Sequence, residues 1–234
     1  MTLIKMGSVT DIGVDADGTK NNLEEFNFKV LVPEYKKLFR KQNGLPADFE
    51  VTDAMVIKNP NGYDIREIVG CTDEERSKIW TPHLIPYCLT YPPRKDCFEV
   101  IKTWQDEGKR VHDITARIYT TDGDWKAWLS RKMFETWNLM YGFPKGVRMD
   151  SITYCSEKNA VQDKIEACQR LGIQVMAEDR MDNAEGIAGM GVNVQLFQAS
   201  YNPEITKDNI QLINAWPEAY QNVRQLELTK GSKE

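Results

Sequence analysis

The chain of 234 residues is 41% hydrophobic and 28% charged, with a net charge of −5. This is the composition of an ordinary globular protein, and it excludes a disordered or fibrous chain. Acids and bases alternate along the sequence without a basic block, which argues against a surface for nucleic-acid polymers. No apolar run approaches the roughly 18 residues that span a bilayer, and the amino terminus has no apolar signal core. A cytoplasmic protein without a membrane partner is therefore expected, long enough for one large domain or a core with an insertion.

In chain order, residues 9–15 read as a buried strand that ends in Asp15-Ala16-Asp17-Gly18-Thr19. A long section, 20–91, follows. It carries a helical pattern through Tyr35, Leu38 and Phe39 that ends near Gly44, an irregular Asn/Pro/Gly stretch at 58–63, and a helix after Thr72. There Thr72-Asp73-Glu74-Glu75 makes a capping box, in which hydroxyl and carboxylate satisfy each other's backbone donors. Pro92 and Pro93 close the section.

Beyond it the rhythm is regular. A helix at 95–107 turns Phe98, Ile101 and Trp104 to one face, and a strand runs from Val111 to Thr115. A long aromatic helix at 122–141 is followed by the strand Ser151–Cys155 and a helix at 160–171 that Gly172 closes. The strand Ile173–Ala177, a helix at 182–190, the strand Val192–Phe197 and a helix from Lys207 to Gln225, kinked at Pro217, complete the chain. Strands alternating with helices imply right-handed βαβ units and a parallel sheet. The expected fold is α/β: a Rossmann-like parallel sheet flanked by helices, formed by 1–19 and 92–234, with a mostly helical cap (20–91) inserted after the first strand.

The chemistry concentrates at strand ends. Asp15 and Asp17, two apart, can share one side of an extended chain. They emerge where open α/β sheets bind ligands. Two carboxylates so close repel unless a cation or a proton compensates, and oxygen ligands of this kind suit magnesium. The same peptide also suits a plain turn, whereas a helix-loop-helix calcium site fails because the further oxygen ligands are missing at the required spacing. Thr115 ends the second strand in a hydroxyl, Lys164 sits early in the helix after Cys155, and Glu178-Asp179 follow the strand at 173–177. The five scattered cysteines contain no Cys-x-x-Cys pair and read as buried free thiols. His112, inside a strand, reads as structural, and no Gly-x-Ser-x-Gly elbow accompanies it.

Taken in this order, the motifs resemble the haloacid dehalogenase superfamily of phosphohydrolases over most of residues 9–202. The stretch 163–202, Ile114-Thr115-Ala116-Arg117 and Trp128-Leu129 are similar to its 5′(3′)-deoxyribonucleotidase-like branch. The resemblance implies a magnesium-dependent phosphomonoester hydrolase working through an aspartyl-phosphate. Asp15 would be the nucleophile and Asp17 the acid and base. Thr115 and Lys164, with Lys158 as its rival, would bind the phosphoryl group. Asp15, the Asp17 carbonyl and Asp179, with Glu178 as second choice, would hold Mg2+. The aspartate at 17 favours ester hydrolysis over carbon–halogen cleavage. Arg117 is a candidate substrate contact, and Phe26, Phe28, Tyr35, Tyr63 and Trp80 are candidates for stacking on the base of a nucleoside monophosphate. Lys20 stands where relatives more usually carry an apolar residue. A phosphoryl-accepting regulatory protein and a phosphotransferase are the alternatives on the same scaffold.

Overall fold

The structure is a computed structural model that describes residues 8–118, 125–202 and 207–231. Its centre is a parallel sheet of six strands: β1 (Asp11–Val14), β2 (Arg110–Ile118), β3 (Ser151–Ser156), β4 (Val175–Glu178), β5 (Asn193–Phe197) and β6 (Ile210–Ile213). The order is β3-β2-β1-β4-β5-β6, so the chain reverses direction of travel beside β1. At such a switch point the loops leaving two neighbouring strands part and open a crevice at the carboxyl edge. This is the Rossmann-like α/β sheet expected from the alternation of elements.

The helices are α1 (Leu23–Phe26), α2 (Val32–Gln42), α3 (Asp53–Val56), α4 (Ile65–Val69), α5 (Asp73–Trp80), α6 (Leu84–Thr90), α7 (Cys97–Asp106), α8 (Trp125–Gly142), α9 (Ala160–Leu171), α10 (Met181–Ala188) and α11 (Trp216–Gly231). Alternation along the strands puts Ile12, Val14, Val175 and Ala177 in one core layer, with α7, α8 and α11. Met176, Val194 and Leu196 lie in the opposite layer, with α9 and α10. Both faces of the sheet are buried, as a parallel sheet requires. Gly13 lies on the second face, where an added Cβ would meet Met176 Sδ at 2.6 Å.

Between β1 and β2, helices α1 to α6 build a third apolar cluster around Phe26, Leu31, Ile65, Ile68, Ile79 and Tyr87, to which α8 contributes Met133. The two chain passages that join this helical insertion to the sheet run side by side. Asn21 and Pro93 form an antiparallel bridge, and Arg94 N donates to Lys20 O at 2.7 Å. The Arg94 guanidinium donates to the carbonyls of Gly18 and Asn21 and lies over the Phe197 ring.

The expected helix at 207–225 is corrected. Residues 210–213 are strand β6, which pairs with β5, and the helix begins only at Trp216. Pro217 therefore lies in a first turn, where its missing N–H costs nothing, rather than at a kink. The start of the helix expected at 122–141 lies outside the described residues, and the capping box at Thr72–Glu75 is formed. His112 is structural, its ring bonded to Asp11 and Ser151. All five cysteines are free and buried. Among the described residues no helix is long and apolar enough to cross a membrane.

Lys20 is fully buried and its ammonium lies 2.6 Å from Asp113 Oδ1. Asn138 closes the triangle, accepting from Lys20 at 2.8 Å and donating to Asp113 at 2.8 Å, with Phe98 and Phe134 rings beside the ammonium. Removing one member of such a pair leaves the other charge in the core. Lys20→Met is expected to destabilise the fold by about 3–5 kcal/mol in urea denaturation, and the double variant Lys20→Met/Asp113→Leu to recover part of that loss.

Candidate active site

The loop that leaves β1 carries Asp15 and Asp17 on extended backbone and then turns sharply at Gly18, whose φ is +77°. Asp15 continues the alternation of β1 onto the face where α9 packs. From the fifth residue of α9, Lys164 reaches back to it with Nζ 2.9 Å from Asp15 Oδ1. The same ammonium donates to both oxygens of Glu178, at 3.1 and 2.8 Å, at the end of the neighbouring β4. Asn183 Nδ2 donates to Glu178 Oε1 at 2.7 Å and completes the hold on that carboxylate.

Asp179, the next residue, is held differently. Its Oδ2 accepts from the Tyr201 hydroxyl and its carbonyl from Asn202 Nδ2, while Oδ1 is buried with no hydrogen-bond partner among the described residues. A Cβ on Gly18 would lie 1.8 Å from Asp179 Oδ2, so the turn after Asp17 has room for this carboxylate only because residue 18 has no side chain. Asp15, Glu178 and Asp179 each bring a carboxylate oxygen within 4.8 Å of the others.

The electrostatics follow from this crowding. Burial pushes Asp15 up to about 7; Lys164 pulls against it, and Glu178 and Asp17 push it further up. Asp179 is also raised, by burial first and then by Glu178 and Asp15. Burial alone would lower Lys164, but Asp15 and Glu178 outweigh it and hold the ammonium above its ordinary value. Three buried carboxylates thus face one ammonium. The unpartnered Asp179 Oδ1 beside Asp15 is what a hard divalent cation with oxygen ligands fits. Glu178 is occupied by Lys164 and Asn183, which leaves Asp15 and Asp179 as the carboxylates facing the gap.

The other sequence-derived residues fall as follows. Thr115 is buried near the carboxyl end of β2 and lines the same cleft as Asp15, Asp17 and Lys164. Lys158 is exposed in the turn before α9 and Lys164 is buried in the site, which separates the two rival lysines. The Arg117 side chain lies outside the described residues. Phe26 and Tyr35 are buried in the insertion's own core and Phe28 packs against it, so only Tyr63 and Trp80 of the five aromatic candidates line the cleft.

Sequence reading missed Tyr87 of α6, whose hydroxyl donates to Asp17 Oδ1 at 2.6 Å. It also missed Tyr201 and Asn202, which hold Asp179. No motif marks these residues, because each reaches the site from a distant part of the chain.

With this geometry established, the comparisons place the fold. No family model matches the chain. A protein of Halalkalibacterium halodurans named "Putative nucleotidase" is 28% identical over 208 residues, covering 88% of this chain and 89% of its own. Among solved structures, Protein Tyrosine Kinase A of Mycobacterium tuberculosis superposes with a TM-score of 0.61 at 13% identity, covering 93% of this chain and 99% of that one. A haloacid dehalogenase superfamily hydrolase of subfamily IA from Geobacter sulfurreducens gives a TM-score of 0.55 at 12% identity, covering 94% of this chain and 100% of that one. The chain has the haloacid dehalogenase-like α/β fold.

Gly18→Ala would force both a positive φ on a residue with a side chain and a collision with Asp179. It is expected to cost about 1–3 kcal/mol in urea denaturation and to weaken divalent-cation binding measured by calorimetry.

Proposed function

We propose that this protein is a magnesium-dependent phosphomonoesterase that works through an aspartyl-phosphate intermediate, with residues 20–91 as its cap and the remainder as its core. The observation that carries this reading is the buried set of Asp15, Lys164, Glu178 and Asp179 at the carboxyl edge of β1 and β4, beside Thr115. Phosphoryl transfer needs little covalent help from the protein. It needs charge neutralisation and a nucleophile held in line with the leaving group.

In this reading an oxygen of the Asp15 carboxylate attacks phosphorus, and the ester bond to the alcohol breaks as the acyl phosphate forms. Asp17, steadied by Tyr87, delivers a proton to the departing alkoxide and then takes one from the water that attacks the intermediate. Lys164 and Thr115 hold the phosphoryl oxygens. Glu178 acts one step back and positions Lys164. Asp15, Asp179 and the Asp17 carbonyl would hold Mg2+, which supplies Lewis-acid neutralisation of the phosphoryl charge when bound. The acid at position 17 is what separates ester cleavage, with its poor alkoxide leaving group, from chemistry that needs no proton donor. The nucleotidase name of the bacterial relative supports nucleoside monophosphates as the first substrates to try.

The test is phosphate release from phenyl phosphate, with magnesium and with a chelator. Asp15→Asn is expected to lower kcat by about 10³-fold or more. Asp17→Asn is expected to lower it by about 10²–10⁴-fold. Chelation should abolish turnover of the wild type, and readdition of Mg2+ should restore it. Full activity in Asp15→Asn would overturn nucleophilic catalysis at this position. A phosphorylated protein that fails to hydrolyse would point instead to a phosphoryl-accepting regulatory protein.

A further inference from the structure

The carboxylates of the site differ in how many of their oxygens are already taken. Both oxygens of Glu178 accept from Lys164, and Asn183 adds a second bond to one of them. Asp179 is divided. Its Oδ2 accepts from the Tyr201 hydroxyl and lies against the backbone of Gly18, where a Cβ would stand 1.8 Å away. Its Oδ1 is buried with no hydrogen-bond partner among the described residues. Such atoms are rare in folded proteins and mark places that something else completes. One oxygen of this side chain is therefore committed inside the protein and the other is not.

The residues around Tyr201 fix the position of that hydroxyl. Tyr201 lies in the loop after β5, and its ring packs edge-on against Tyr63 with centroids 5.1 Å apart. Asn202 clamps the turn from β4 into α10. Its Nδ2 donates to Asp179 O at 2.6 Å and to Phe197 O at 3.2 Å, and its Oδ1 accepts from Met181 N at 3.1 Å. On the other side, Ser200 donates its N–H to Glu24 at 3.1 Å and its hydroxyl to the carbonyl of Pro60 at 3.4 Å. A phenol carries its proton at neutral pH, and an ionised carboxylate only accepts. The bond therefore runs from Tyr201 to Asp179 whenever Asp179 is charged, which is the state in which a carboxylate ligates a cation.

We propose that Tyr201 is a positioning residue that sets cation selectivity: by reserving Oδ2 it makes Asp179 a one-oxygen ligand, which favours Mg2+ over Ca2+. The inference rests on the metal site of the phosphomonoesterase reading and adds to it the cation against which that site discriminates. Mg2+ is small, demands near-ideal octahedral geometry and takes single oxygens from the few carboxylates that hold it. Ca2+ is larger, takes about six to eight oxygens and readily uses both oxygens of one carboxylate. Committing Oδ2 to a phenol removes the second contact, which Ca2+ uses and Mg2+ does not need. Tyr201 itself does not touch the cation. It acts through Asp179, as hydrogen-bonding partners of metal ligands do.

The experiment titrates MgCl2 and CaCl2 separately into the whole protein by calorimetry and compares the two dissociation constants. Wild type is expected to bind Mg2+ more tightly than Ca2+. Tyr201→Phe keeps the ring against Tyr63 and deletes only the hydroxyl. It is expected to lower the ratio of the Ca2+ Kd to the Mg2+ Kd by about tenfold, because Asp179 regains its second oxygen for the larger ion. A merely structural loss would weaken both cations alike and leave the ratio fixed, and that result would overturn the role of Tyr201. Wild type that binds Ca2+ as tightly as Mg2+ would overturn it too, in a measurement that needs no variant. Wild type that binds neither cation would overturn the metal site of the phosphomonoesterase reading itself, so the two failures are distinguishable.

Discussion

One ammonium bridging two buried carboxylates organises this molecule. Lys164 spans from Asp15, just past β1, to Glu178 at the end of β4, and all three are almost completely shielded from water. Its existence depends on the strand order: β1 and β4 are neighbours across the reversal of the sheet, so their carboxyl ends lie side by side. It depends equally on α9, which packs on the face to which Asp15 points. A buried bridge of this kind is a poor stabiliser, because desolvation of three charges offsets most of the attraction. Its consequence is chemical. It fixes Asp15, which burial pushes up to about 7 against the pull of the ammonium, and it leaves Asp179 near Asp15 with an unpartnered oxygen.

The insertion is tied to this centre rather than merely placed above it. Tyr87 of α6 holds Asp17, and Asn27, Tyr63, Arg76 and Trp80 line the cleft over the carboxylates. Its two connections to the sheet are bridged to each other, and Arg94 binds the carbonyls of the Asp17 turn. Trp137 and Tyr141 of α8 donate to the carbonyls of Tyr91 and Thr90, so the second connection is anchored to the core.

The elements of the sheet were legible because each strand is a short apolar run closed by a turn residue, and because α7 and α9 carry helical periodicity ended by Gly108 and Gly172. The reading failed at β6, where Ile210-Gln211-Leu212-Ile213 is too short for any period to show and has only its ends buried. Pairing with β5 decides that segment, and pairing is a non-local fact. Asp15 and Asp17 were legible because two carboxylates two residues apart at a strand end repel unless a cation or a proton compensates, and because Thr115, Lys164 and Glu178-Asp179 follow at later strand ends. Tyr87, Tyr201, Asn27 and Arg76 were not, because an isolated Tyr, Asn or Arg in a helical or loop segment carries no local signal of what it will face.

The sequence by itself determined the alternation of strands and helices, the break in that rhythm after Asp17, and the residue types available for phosphoryl chemistry. Those are local properties, set by hydrophobic period, capping groups and charge spacing. Only the tertiary structure decided which lysine enters the site, and that Glu178 turns to Lys164 while Asp179 turns to the gap. It also decided which residues of the insertion line the cleft. Each of those outcomes depends on distances between segments far apart in the chain, which no spacing along the sequence encodes.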